Sequence, residues 1–151
     1  MPNQNNFRLQ PVLKFKASLI DNLELEFVHL KLAHQNEVQA LLELKQIKNQ
    51  ELEALDQQRR RGVIDCEAIQ LGHQYLQALD ESVANQLIQV AEAEHRLDAK
   101  RDELVKTMQD QKTLEKLRDR HWDKQQQENL RREARNIDDL VTTRFGREIN
   151  R

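Results

Sequence analysis

After Pro11 the chain contains no proline, and its 151 residues hold only three glycines and one cysteine. Without proline, nothing in the backbone obliges a helix to stop across most of the length. With three glycines the chain has no glycine-rich phosphate loop. Cys66 has no second thiol to pair with, which fits a reducing cytoplasm. Aromatic side chains are scarce, at four Phe, one Tyr and one Trp, so a wide core is not on offer. Neither sign of charge prevails: the formal net charge is −2 with both signs interspersed, which excludes the basic footprint that nucleic-acid binding needs. No apolar run approaches the roughly 20 residues of a membrane span, and the N-terminus lacks a secretory apolar segment.

What the sequence has is charge, at 33% of residues, together with Gln, Leu and Ala, all good helix formers. Apolar residues also recur every seventh position. Ile69, Leu76, Val83, Val90, Leu97 and Leu104 are six successive hits at one phase. A second run takes Leu13, Ile20 and Phe27, then Leu41 and Leu55, with Leu23, Leu30 and Leu44 three residues after the corresponding positions. A repeat of seven keeps one stripe of a slightly under-wound helix facing a partner helix, which is the condition for a coiled coil. His34 and Lys48 fall where that second run expects an apolar residue; such intrusions weaken a seam locally and fix its register.

These patterns predict one all-α domain over residues 1–151, a long antiparallel two-helix coiled-coil hairpin whose second helix is longer than the first. Residues 1 to 6 are polar and frayed. A first helix runs over about 11–58, with Pro11 in its first turn, where a missing N–H costs nothing. A turn follows at 59–65: Gly62 supplies backbone freedom, Asp65 is a good N-cap, and Ile64 with Ile69 matches a hydrophobic staple. Arg59, Arg60 and Arg61 read as part of the solvated turn. The second helix covers about 66–144, interrupted only by Gly72, which costs about 1 kcal/mol relative to alanine. Gly146 marks its end.

Pairing outward from so short a turn uses up the first helix opposite about Thr113. The second helix, on the order of 120 Å long, then overhangs by ~45 Å. The overhang is polar from Arg118 to Asn136, with Trp122, Leu130 and Ala134 as its main apolar groups, and carries a stripe of Ile137, Leu140, Val141 and Phe145. An isolated polar helix is only marginally stable in water, so the arrangement makes sense if a partner protein receives this end. Enzyme chemistry is poorly served. Two thin helices have no concave interior. His29 and His34 lie five apart on different faces, and His73, His95 and His121 are scattered, so no metal-ligand spacing arises. No cofactor and no catalytic residue is expected, and Cys66 reads as an incidental thiol.

The segment Phe7-Arg8-Leu9-Gln10-Pro11-Val12-Leu13-Lys14 resembles the opening of the flagellar export protein family FliJ. The break Gly62-Val63-Ile64-Asp65, then Ile69 and Tyr75-Leu76-Gln77-Ala78-Leu79-Asp80, is similar to that family's turn and early second helix. Lys112-Thr113-Leu114-Glu115-Lys116-Leu117-Arg118-Asp119-Arg120 and Arg131-Arg132-Glu133-Ala134-Arg135-Asn136-Ile137-Asp138-Asp139-Leu140 match its C-terminal segments. The resemblance implies a stalk-like coiled coil in the central hole of the hexameric type III export ATPase. It also implies contact with the cytoplasmic domain of the export gate, traffic with export chaperones, and a cytoplasmic location at the periphery of the membrane apparatus. The free protein is expected to be a monomer that neither enters the membrane nor binds nucleic acid.

On that reading residues 7 to 23 and 112 to 145 enter the ring. The expected contacts are Leu13, Leu117, Arg118, Trp122, Leu130, Arg131, Arg132, Arg135, Ile137, Leu140 and Val141. The gate and chaperones would meet Leu44, Ile47, Tyr75 and Leu79 near the turn. The stretch Leu44, Ile47, Glu51 lacks tyrosines that some family members carry. Two alternatives remain at this stage, a generic tether or dimerisation coiled coil, and the equivalent stalk of a virulence-type injectisome.

Overall fold

A computed structural model describes residues 7–62 and 65–150. Two helices and no strand occur among them: α1 (Gln10–Arg60) has 51 residues and α2 (Cys66–Ile149) has 84. The fraying expected of residues 1 to 6 and the Ile64 half of the expected hydrophobic staple fall outside the described residues. The start of α1 is tied down by the Gln10 amide donating to the Phe7 carbonyl at 3.0 Å, and Pro11 sits in the first turn as its missing donor allows.

The helix stops are chemical. At the end of α1 the Arg61 amide donates to the Gln57 carbonyl, and Gly62 adopts φ +77°, the left-handed conformation that favours glycine. Arg59 and Arg60 are thus the last turn of α1, where positive charge suits the helix dipole. Asp65 caps α2: its Oδ1 accepts from the amides of Glu67 at 3.1 Å and Ala68 at 3.4 Å. Gly146, expected to end α2, does not. The helix passes through it to Ile149, and Gly146 has no positive φ. With no proline behind it and helix-compatible residues on both sides, one glycine costs too little to break the ladder.

The chain forms two compact units, Asp21–Val105 and Met1–Ile20 with Lys106–Arg151. The first of these is an antiparallel hairpin around the turn. Leu55 lies over Gly72, Lys48 pairs with Asp80, Glu37 meets Gln86 and Glu26 meets Lys100, so one number falls as the other rises. Leu23, Leu41, Leu55, Leu76, Leu79 and Leu97 are its buried core. In the other unit Leu13, Ile20 and Thr107 are buried, Lys16 pairs with Asp110 at 3.2 Å, and the Phe7 ring lies 5.8 Å from that of His121. The first arm therefore reaches farther along α2 than a count from the turn placed it. Beyond Gln126, every residue of α2 is exposed, as is Asn150 after it.

Inner positions step by three and four on both helices. On α2 one column is Ile69, Leu76, Val83, Val90, Leu97 and Leu104, while the other is Gly72, Leu79, Gln86, Ala93, Lys100 and Thr107. Apart from Leu79, the second column on α2 is therefore small or polar. Two of its polar members reach across: Gln86 Nε2 donates to the Glu37 carbonyl at 3.0 Å and to its carboxylate at 2.6 Å, and Lys100 Nζ reaches Glu26 at 2.7 Å as well as Glu103 of its own helix at 3.0 Å. Arg101 covers the Phe27 ring at 5.8 Å. Such ties specify register more than they add stability.

Two outcomes follow from this seam. A Cβ at Gly72 would sit 2.5 Å from Leu55 Cδ2 and 3.2 Å from its Cγ. Gly72→Ala gains ~1 kcal/mol of helix propensity but forces a buried leucine aside, which costs ~1–3 kcal/mol. A net loss of about 1 kcal/mol is expected in urea unfolding. In a Leu55→Ala background, itself less stable by ~2–5 kcal/mol, Gly72→Ala should instead be neutral or stabilising. A more stable Gly72→Ala variant of the otherwise wild-type chain would show that Leu55 is not locked. The second concerns Lys100, whose pKa is raised above its ordinary 10.5 by the hydrogen bond to Glu26 and then that to Glu103. A raised folded value means that the stabilisation is complete below 10.5 and is lost as pH climbs through the folded value. The stability gap between wild type and Lys100→Gln, measured at about pH 8 and about pH 11, should narrow at the higher pH.

Candidate partner-binding surfaces

A coiled coil can offer only what its seam leaves outside, so burial sorts the expected contact residues. Leu13 and Leu79 are each 6% exposed and belong to the seam. They hold the helices together and present almost no surface in the free chain. The heptad phase carried this signal, since Leu13 heads one apolar column and Leu79 stands three residues after Leu76.

The surface near the turn is built by an absence. Because Gly72 has no side chain, Leu55 settles onto its backbone, and a shallow hollow of about 330 Å³ remains beside them. Tyr75, Leu71, Ala54 and Glu51 also line it. Tyr75 and Leu71 are largely exposed there, an amphipathic ring and an aliphatic group on one face. Ile47 is exposed and Leu44 is half-buried, but neither lines the hollow. The structure thus brings Tyr75 together with Glu51 and Leu71, and does not bring it together with Leu44 or Ile47. Close by, an Arg59 guanidinium nitrogen lies 3.3 Å from His73 Nε2, while Arg60 pairs with Asp56 at 3.1 Å. Two of the three turn arginines are therefore engaged within the chain.

The second surface belongs to the unit containing residues 106–150. Leu117 and Trp122 are about half exposed, flanking the point where Phe7 closes over His121. His121 Nε2 is buried at that junction without a hydrogen-bond partner. Arg118 is turned onto Asp119, with contacts of 3.3 Å. Past Gln126 the helix stands alone. Leu130, Ile137, Val141 and Phe145 recur at seven and four residues along one side, Leu140 flanks them, and all five are between 48% and 68% exposed. Arg131, Arg132 and Arg135 are exposed on the same stretch. Ile149, at 81% exposure, was not anticipated, because Gly146 was expected to end the helix before it.

Thr142 and Thr143 return their hydroxyls to the carbonyls of Asp138 and Asp139, at 2.7 and 2.5 Å, which satisfies them without any outside group. No group of three or more His, Cys, Asp or Glu side chains among the described residues is placed to hold a metal ion. Cys66 is exposed at the first position of α2.

A family model described as "Flagellar FliJ protein" matches residues 5–150, nearly the whole chain. No curated protein and no solved structure matches. An uncovered helix is held by its own hydrogen bonds and little else, so amide exchange should divide α2. Amides of residues 127–150 are expected to exchange at least about a hundredfold faster than those of residues 76–104. Equal protection in a hydrogen-exchange measurement would mean that something covers the arm in the free protein.

Proposed function

Since the chain belongs to the flagellar FliJ protein family, a component of the flagellar protein export apparatus, we propose that it serves there as a stalk-like coiled coil. In this role its uncovered α2 arm inserts into the ring of the hexameric export ATPase. The carrying observation is that arm: from Gln127 to Ile149 α2 is exposed on every side, yet bears six large apolar residues, four of which, Leu130, Ile137, Val141 and Phe145, form one stripe. A solitary helix of that composition gains stability only by burying the stripe against another protein.

The contacts proposed are Leu117, Trp122, Leu130, Ile137, Leu140 and Val141 as apolar anchors, with Arg118, Arg131, Arg132 and Arg135 meeting acidic groups on successive subunits. Exposed ion pairs are worth ~0–1 kcal/mol each, so they break and re-form as the ring cycles through its states. Trp122 is the strongest single anchor because a large aromatic ring buries most area per residue. Leu13 acts indirectly, by keeping the start of α1 on α2.

The hollow beside Tyr75 supports the companion proposal. With Leu71, Glu51 and the nearby Ile47, it receives the cytoplasmic domain of the export gate or an export chaperone. A protein linking ring and gate would be cytoplasmic and held at the membrane periphery through its partners; no helix among the described residues is long and apolar enough to cross a membrane. The proposed role is mechanical and needs no cofactor.

Removing residues 118–151 should abolish stimulation of the ring's ATP hydrolysis, and Ile137→Asp with Val141→Asp should weaken ring binding by at least about tenfold. Tyr75→Ala should leave that stimulation intact while reducing capture of the gate domain. Unchanged stimulation after the truncation would refute the ring assignment.

A further inference from the structure

Leu25, Val28 and Leu32 are 71%, 62% and 53% exposed, three large apolar side chains in a row on the solvent side of α1. Spaced three and four apart, they share a face half a turn away from the seam residues Leu23, Phe27 and Leu30. The stripe is bounded by Ser18 and Asp21 on one side and by Gln35 and Gln39 on the other, so it is a patch about two turns long. Neither the seam nor the proposed arm and gate contacts use it.

We propose that this patch is a weak homodimer contact, in which a second copy packs its own Leu25, Val28 and Leu32 antiparallel against it. The flanking charges select the occupant and the direction. Glu24 and Lys31 lie seven residues apart on one edge of the stripe, both exposed and neither in an ion pair among the described residues. An antiparallel two-fold that sets Leu25 beside Val28 of the second copy, with Leu32 at the rim beside its Asp21, also sets Glu24 across from Lys31 of that copy. The symmetry then repeats the pair in reverse, so one contact yields two ion pairs. A parallel pairing sets Glu24 against His29 and Lys31 against Asn36 of the second copy, and matches no opposite charges. The other edge, with Asn22, His29 and Asn36, carries no fixed charge to oppose the antiparallel arrangement.

The patch is small beside the ~1,200 Å² or more of a stable interface, so the dimer forms only at high concentration and releases on dilution. It involves none of the arm residues. Its failure would leave the reading of the arm untouched, and failure of that reading would leave the dimer untouched.

Sedimentation equilibrium of the full chain, from about 10 µM to about 1 mM, tests the contact. The weight-average mass is expected to rise from the 17.9 kDa monomer toward twice that value. Glu24→Lys alone or Lys31→Glu alone turns both pairs into repulsions and should raise the dissociation constant about tenfold. The double reversal, which restores both pairs with signs exchanged, should return it to within about threefold of wild type. Val28→Asp should abolish the dimer with helix content unchanged by circular dichroism, since the site lies outside the seam. A constant monomer mass, a dimer indifferent to Val28→Asp, or a double reversal no better than the single ones would each overturn the proposal.

Discussion

The two helices meet along a seam one side chain wide, with no third layer behind it to correct a misfit. Any inner residue that does not match its opposite number is therefore felt at once. On α2 this seam alternates an apolar column with one that contains Gly72, Gln86, Ala93, Lys100 and Thr107. An all-apolar seam would be stronger, but it would tolerate slippage by a heptad, because each leucine sees much the same hole one repeat along. Gln86 on Glu37, Lys100 on Glu26 and Leu55 on Gly72 have no such equivalents. Alignment is set by these few unlike pairs, and adhesion by the leucines.

That division governs what remains for partners. Residues committed to the seam are unavailable however apolar they are, as Leu13 and Leu79 show. Exposed groups gather where the seam leaves room: beside Gly72, where a missing side chain opens a hollow, and along α2 past the point where α1 runs out. The same logic isolates Leu25, Val28 and Leu32. These three neighbouring apolar residues share one outer face of α1 and are more than half exposed.

Much of the fold is legible in the sequence, and what is not has physical causes. Helix class, the break at Gly62, the cap at Asp65 and the greater length of the second helix all rest on local chemistry: a left-handed glycine, an accepting carboxylate, an uninterrupted repeat. The second seam column of α2 was not readable, because glutamine, lysine and threonine announce themselves as surface. Only their partners on the other helix reveal them as inner residues. Gly72 looked like a flaw in a helix because its meaning is Leu55, seventeen positions away in the chain. Gly146 looked like a stop, but a C-cap needs a turn to form after it, and here the chain continues helically. Within the candidate surfaces, residue type gave the anchors; which of them face outward required the burial of each.

The lone arm of α2 also bears on how long a copy survives. A helix that opens locally and often is readily cut, since proteases act on the transiently unfolded backbone and not on the packed one. Residues 127–150 offer such a backbone whenever they stand uncovered. On the proposed reading of the arm, a copy whose arm is seated in a partner would be shielded from such cutting, and a copy in excess of its partners would be cut first.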